Sequence, residues 1–350
     1  MEEKIAAIIH EFGLNPVEYS AEIFGSGLIH KTYRVGKQGI PCFILQQVNH
    51  QVFKKPEDIA HNLQILGSFF SVNAPQYPFT FPVRSSSGST YVIADGNYFR
   101  MFTFITGTHS VDTCQEASQA YEAAFQFGRF TSLLNGLRTD MLRYTIPGFH
   151  DLSYRYKEFE KAVKQGNRDR LRDSRNTATW LNDHSGIAEQ YKKICKDPMF
   201  IKRVTHHDTK ISNVLLNQEN KGVCVIDLDT VMPGYFFSDV GDMIRTYVSP
   251  ANEEENDFEK IYIRPDFFNA IYTGYMDNMG AHLTESERRS FIYAGKFMIY
   301  MQALRFYTDH LNDDRYYGAR YPGHNQIRAW NQARLFDELE KTENDLLKFF

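Results

Sequence analysis

The segment VTHHDTKISNVLLN, Val204 to Asn217, constrains this chain more than any other, because it sets two histidines, an aspartate, a lysine and an asparagine between two apolar runs. Downstream, a second apolar, strand-like run, CVIDLDT, is broken by Asp227 and Asp229, and Asp227 follows Asn213 by fourteen residues. Apolar runs of this kind carry carboxylates only where a cation or a hydrogen-bonding partner meets them.

Phosphoryl transfer gives all three positions a task. One carboxylate orients the attacking hydroxyl and takes its proton, while an amide oxygen and a second carboxylate hold the Mg²⁺ that bridges the phosphates. In the protein-kinase pattern the first Asp and the Asn lie five residues apart, and the metal-binding Asp follows the next strand pair. Asp208, Asn213 and Asp227 have that spacing. His206 and His207 with His150 would be the candidates for zinc, but nothing supplies the helical i, i+4 spacing of such sites. His206 reads instead as a buried residue bonded to the loop backbone.

The rest of the chain frames this segment. At 350 residues it is long enough for two lobes with separate cores. Its 42% hydrophobic and 23% charged residues are those of a globular protein, and a net charge of -4 gives no footprint for nucleic acid. The four cysteines, Cys42, Cys114, Cys195 and Cys224, form no C-x-x-C pair and read as reduced thiols, which points to the cytoplasm. No run of 18 apolar residues is present, so no membrane span is expected. The opening MEEKIAAIIHEFGL is acidic and spaces Ile5, Ile8, Ile9 and Phe12 as an amphipathic helix, unlike a signal peptide.

AEIFGSGLIHKTYRV predicts strand, Gly-Ser-Gly turn and strand, with Ile29, Tyr33 and Val35 on alternate positions, and CFILQQV a third strand. A helix is expected over Asp58 to Phe70, striped by Ile59, Leu63, Leu66 and Phe70. STYVIADGNYFRMFTFITG predicts a hairpin turning at Ala94 to Asn97. Residues 1 to about 105 thus form a strand-rich lobe, and 106–350 a mostly helical one. Late in the chain, Thr284 and Glu287 make a capping box, expected to open a helix running through Phe291, Phe297, Met298, Met301 and Leu304. Arg305 borders that apolar stripe and needs either Asp309 at i+4 or a ligand.

HHDTKISNVLL, VIDLDTVMPG and SDVGDMIR together resemble the aminoglycoside phosphotransferase superfamily of small-molecule kinases, which shares the protein-kinase fold. With LQQVN early and LRFYTDHLNDDRYY and RYPGHNQIRA late, the wording is most similar to the N-acetylhexosamine 1-kinases, from about Gly25 to Arg328. The resemblance implies an α+β, two-lobed protein-kinase-like fold, with a small antiparallel-sheet N-lobe for nucleotide and a mostly helical C-lobe for catalysis and acceptor. It implies ATP and Mg²⁺ as cofactors, a small-molecule sugar as substrate, and no nucleic-acid, membrane or protein partner. Transfer would go to the anomeric hydroxyl of an N-acetylhexosamine.

Carried over by position, the resemblance makes Asp208 the base, Lys210 a contact to the transferring phosphoryl group, and Asn213 and Asp227 the metal ligands. Asp229 either helps with the metal or holds the loop, and Asp239 and Asp242 brace the loop from the next helix. Gly25, Ser26 and Gly27 would cover the phosphates, and Met101, Phe102 and Thr103 would form the hinge beside adenine. His150, Asp151, Arg305 and Tyr317 are its sugar-side positions. Two departures stand out. His30 occupies the place of the pattern's third glycine, and FILQQV puts Gln46 or Gln47 where kinases keep a phosphate-gripping lysine. Alternative readings are a kinase for an aminoglycoside, choline or homoserine, for which the acidic cluster NEEEND, Asn252 to Asp257, is the one to watch, and a nucleotide-binding pseudokinase.

Overall fold

The structure, a computed structural model, describes residues 3–25 and 29–350. Its first part is a five-stranded antiparallel sheet of β1 (Tyr19–Ile23), β2 (Lys31–Lys37), β3 (Ile40–Val48), β4 (Val92–Ala94) and β5 (Asn97–Thr103), in the order β1-β2-β3-β5-β4. Strand alternation sends Tyr33, Val35, Leu45, Phe99 and Met101 to one face, where the helix Glu3–Glu11 closes a small core with Ile5, Ile8 and Ile9. The opposite face of the sheet is left for the cleft. The hairpin turns at Asp95 and Gly96, whose φ values of 49° and 72° match the right-handed strand twist. Ile29 falls outside the expected alternation: it precedes β2 and is exposed.

The helix Pro56–Asn73 starts on a proline whose missing N–H costs nothing at that position. Its predicted stripe, Ile59, Leu63, Leu66 and Phe70, is buried, but it packs into the larger core with the helical part of the chain. That part is built on the helices Ala117–Leu133, Phe236–Tyr247, Pro265–Met279, Phe291–Leu311 and His324–Leu346. The capping box of Thr284 and Glu287 forms, yet it heads a separate short helix, Glu285–Arg288, rather than the long one expected. The break falls where Ser290 turns its hydroxyl back on the carbonyl of Ser286, a bond that competes with the helix ladder.

Two short antiparallel pairs frame the polar segment: Arg203–Thr205 with Met232–Gly234, and Val214–Asn217 with Gly222–Val225. Beneath them, the helix Phe236–Tyr247 is buried along nearly its whole length. It lies so close to the helix Phe291–Leu311 that a β-carbon at Gly241 would run into the carbonyl of Ala294. Gly241→Ala is therefore expected to destabilise the protein by about 1–3 kcal/mol, read as a lower midpoint in urea or heat denaturation.

Candidate active site

The chain between Thr205 and Val214 is a loop whose backbone donors are taken up from below. Asp239, itself fully buried, accepts from the amides of His206 (2.9 Å) and His207 (2.7 Å), and Asp242 accepts from Thr209 at 2.8 Å. The hydroxyl of Tyr247 donates to the carbonyl of Thr209, and Thr230 donates to that of His206. Burial pushes the Asp239 carboxyl up to about 6, against the pull of the amides of His206 and His207. His206 lies within 3.0 Å of the Ile226 carbonyl through Nε2 and accepts from the Asp208 amide through Nδ1 at 3.4 Å. Both nitrogens are occupied by backbone, so the zinc arrangement with His150 and His207 does not form. His207 takes φ of 65°, an uncommon left-handed conformation for a side-chain-bearing residue, and the turn it makes sets Asp208 outward.

Asp208 is one-fifth exposed, 3.1 Å from Lys210 Nζ, and accepts from Asn213 Nδ2 at 3.1 Å. Burial raises its carboxyl, but the charge of Lys210 and the bonds from Lys210 and Asn213 outweigh it, so the net shift is downward. The same Asn213 Nδ2 donates to the Asp208 carbonyl at 2.9 Å, which fixes the amide and leaves Oδ1 without a partner among the described residues. Asp227 sits at the cleft with φ of 60°, and among the described residues it receives no hydrogen bond. Its side chain is open to the cleft, yet desolvation by the dense cleft walls first, then the charges of Asp229 and Asp208, push its carboxyl up to about 6. An unpartnered carboxylate beside a free amide oxygen is the hard-oxygen donor set that a divalent cation takes, so these two residues fit Mg²⁺.

Asp229 has a different occupation. Arg100, on β5, grips it with both guanidinium nitrogens, one of them at 2.9 Å, and His30 Nε2 lies 2.8 Å away. The Asn49 amide donates to His30 Nδ1, so Nε2 carries the proton and donates to Asp229. Burial opposes ionisation, yet Arg100 and His30 hold the Asp229 carboxyl well below the usual carboxylate range. These bonds tie Asp229 to the sheet and to the segment before it, while its carboxylate also lies with Asp227 and His30 in a group whose ligand atoms are within 4.8 Å of one another. The bond to Asp229 also gives His30 a function that a glycine there would lack.

Above this floor lies a cavity of about 230 Å³ between the sheet's free face and the segments around Asn213 to Leu215 and Ile226 to Asp229. Its apolar end is walled by Phe24, Ile44, Phe102, Leu215 and Ile226, and its polar end by Gln46, Arg100, Asn213, Asp227 and Asp229. Gln46, Phe102 and Thr103 line the cavity, and Phe104 and Ile105 continue the same wall, while the Met101 side chain points into the sheet core and its carbonyl accepts from Val83. Gly25 takes φ of 81°, and Ser26 and Gly27 lie outside the described residues.

A second cluster reaches the loop from the other side. His207 Nδ1 is 3.2 Å from His150 Nδ1, and His150 stacks on Phe149. Arg305 lies over Phe149 (5.1 Å) and Tyr317 (5.4 Å) and donates to Gln302. It does not pair with Asp309, whose oxygens accept from the amides of Tyr316 and Tyr317 and from Asn325. Asp151 caps the helix Leu152–Gln165 by accepting from the Tyr154 amide at 3.0 Å. The acidic cluster is neutralised: Glu253 pairs with Arg245 and Arg328, Glu254 with Arg320, and Glu255 with Lys260. Arg100, Arg245 and Arg328 escaped the reading of the sequence. For Arg100 the signal was the strand register, since it stands directly across from Gln46.

A cleft between an antiparallel sheet and a mostly helical body, over an Asp-Asn-Asp floor, is the architecture of protein-kinase-like phosphotransferases. The chain belongs to the phosphotransferase enzyme family (APH), whose profile matches residues 20–262. Among solved structures it is similar to a microcompartment-associated aminopropanol kinase (16% identity, 99% of each chain, TM-score 0.60). It is also similar to the choline kinase of Cryptosporidium parvum (13%, 99% of this chain and 97% of that one, TM-score 0.60) and to spectinomycin phosphotransferase in complex with ADP and spectinomycin (12%, 97% and 98%, TM-score 0.56). Among the described residues no helix is long and apolar enough to cross a membrane.

Because Asp239 satisfies two buried amides, Asp239→Ala leaves both without a partner, at about 1–3 kcal/mol each. Faster amide hydrogen exchange at residues 206–209 and a lower denaturation midpoint are expected; unchanged exchange there would refute the bracing role.

Proposed function

We propose that this enzyme transfers the γ-phosphoryl group of ATP to the anomeric hydroxyl of an N-acetylhexosamine, N-acetylglucosamine or N-acetylgalactosamine, giving the sugar 1-phosphate. The observation that carries the reading is the Asp208–Asn213–Asp227 arrangement. One carboxylate is held ionised beside Lys210, and a free amide oxygen and an unpartnered carboxylate face the same cavity. Residues 1 to about 105 would cover the nucleotide and 106–350 would carry the base and the acceptor.

The base in Asp208 is weak, since its pKa is depressed. An anomeric hydroxyl, a hemiacetal, is more acidic than an ordinary alcohol and suits such a base. In a loose transition state the hydroxyl need not be ionised early. Asp208 orients it, its oxygen bonds to the γ-phosphorus as the bond to the β-phosphate oxygen breaks, and the proton passes to Asp208. Lys210 lies beside the transferring group, and Mg²⁺ held by Asn213 and Asp227 would neutralise charge on the phosphates.

The choice of a neutral sugar over a cationic acceptor rests on charge. Aminopropanol and choline are cations, and such acceptors call for unpaired carboxylates around the hydroxyl. Here the acidic cluster is spent on arginines and lysine, and Arg305, which pairs with no carboxylate among the described residues, brings positive charge to the acceptor side. Neutral His150, held unprotonated by burial and then by His207 and Arg305, adds no negative charge. Four unpaired cysteines suit the reducing cytoplasm.

Phosphorus NMR of the protein with ATP, Mg²⁺ and each N-acetylhexosamine should show a phosphate coupled to an anomeric proton. Turnover only with amine-bearing acceptors would replace the sugar reading, and Mg²⁺-dependent nucleotide binding without turnover on any acceptor would leave a pseudokinase. Asp208→Asn should lower kcat by on the order of 10²-fold or more with ADP binding kept. Asp227→Ala should remove the Mg²⁺ dependence of ADP binding, measured by calorimetry.

A further inference from the structure

The structure answers, with an arginine, the question raised by a glutamine in the lysine position. On the cleft face of the sheet, antiparallel register sets Thr32, Gln46 and Arg100 side by side across β2, β3 and β5. The Gln46 amide oxygen accepts from Arg100 Nε (3.1 Å) and Nη2 (2.9 Å), and the guanidinium continues to Asp229. Arg100 and Asp229 are both nearly inaccessible, at 6% and 4%.

A guanidinium only donates. With Arg100 beside it, Gln46 has one stable orientation, oxygen toward the arginine and NH₂ away from it. That NH₂ has a single protein acceptor within reach among the described residues, Thr32 Oγ1 at a long 3.4 Å, so an N–H remains uncommitted. Gln46 lines the same cavity as Asn213 and Asp227. Asp229 balances the charge of Arg100, and four of the five guanidinium N–H bonds are already engaged.

Resting on the nucleotide-site reading above, we propose that Arg100 is a positioning residue that turns the Gln46 amide so that its N–H groups, rather than its oxygen, meet the nucleotide phosphates in place of the kinase lysine. Arg100 does not itself grip the phosphates; its charge is spent on Asp229 and on setting the amide. A lysine at position 46 would face a guanidinium at hydrogen-bond distance, and like charges so close repel. The residue that serves other kinases is thus excluded here by its neighbour across the strand.

The test compares binding of adenosine, which lacks phosphates, with Mg-ADP by calorimetry, with circular dichroism to confirm folding. Gln46→Lys and Gln46→Glu should each weaken Mg-ADP about tenfold or more and leave adenosine within about twofold. Gln46→Met, which only removes the donor, should weaken Mg-ADP alone in the same direction. The exchange of Gln46→Lys with Arg100→Gln, which keeps one cation and one amide in the row, should regain Mg-ADP affinity relative to Gln46→Lys. Mg-ADP binding by Gln46→Lys as tight as wild type, or equal losses for adenosine and Mg-ADP, would overturn the inference. Wild-type protein binding neither ligand would remove the nucleotide reading itself and this inference with it.

Discussion

Everything at the centre of this molecule hangs on a single buried carboxylate. Asp239 collects the amides of His206 and His207, and with Asp242 beneath Thr209 it fixes a loop that has no ladder of its own. Loop backbone so deep would otherwise leave donors unpaired. The helix that carries both aspartates is buried because Gly241 lets it press against its neighbour. Core packing and the position of Asp208 are therefore one problem: a shift in that helix moves the loop.

A second principle governs charge. Anionic groups crowd the cleft floor, and each has a defined counterpart except one. Asp208 has Lys210, Asp229 has Arg100 and His30, Asp242 has Arg245, and Glu253 has Arg245 and Arg328. Of these, Asp227 alone has none among the described residues, and its carboxyl is driven upward. Pairing all but one carboxylate concentrates the demand for a cation at a single point next to the Asn213 oxygen. Groups that look alike in sequence, such as Asp227 and Asp229, two residues apart, are separated in function by which neighbours reach them.

What was legible in the sequence follows from whether the signal was local. The Asp208 to Asn213 spacing, the stripe of Pro56–Asn73 and the Asp95–Gly96 turn are written within a few residues, and the structure has them. The break at Ser290 was missed because the apolar period continues across it, while a hydroxyl back-bond decides the ending. Alternation in β5 sends the Met101 side chain to the core and that of Phe102 to the cavity, a division that period-2 spacing alone carries. Arg100 and Arg328 are invisible in the sequence because Asp229 and Glu253 are distant from them, and only register and helix packing bring them together. The acidic cluster Asn252 to Asp257, the one to watch for a cationic acceptor, is paired in part by such distant residues, Arg320 and Arg328.

The contact between His207 and His150 reaches further than its 3.2 Å. Thr205 gives its only hydroxyl proton to the Met232 carbonyl, so it must receive from His207 Nε2. His207 Nδ1 is then bare, and the proton between the rings belongs to His150 Nδ1. His150 Nε2 is left as an open lone pair on the ring that stacks on Phe149, beside Arg305. A chain of four groups starting at a backbone carbonyl thereby dictates the tautomer of a ring beside Arg305. The loop that carries Asp208 also decides which kind of hydrogen bond that ring can offer a visitor: it can receive a proton, and it has none to give.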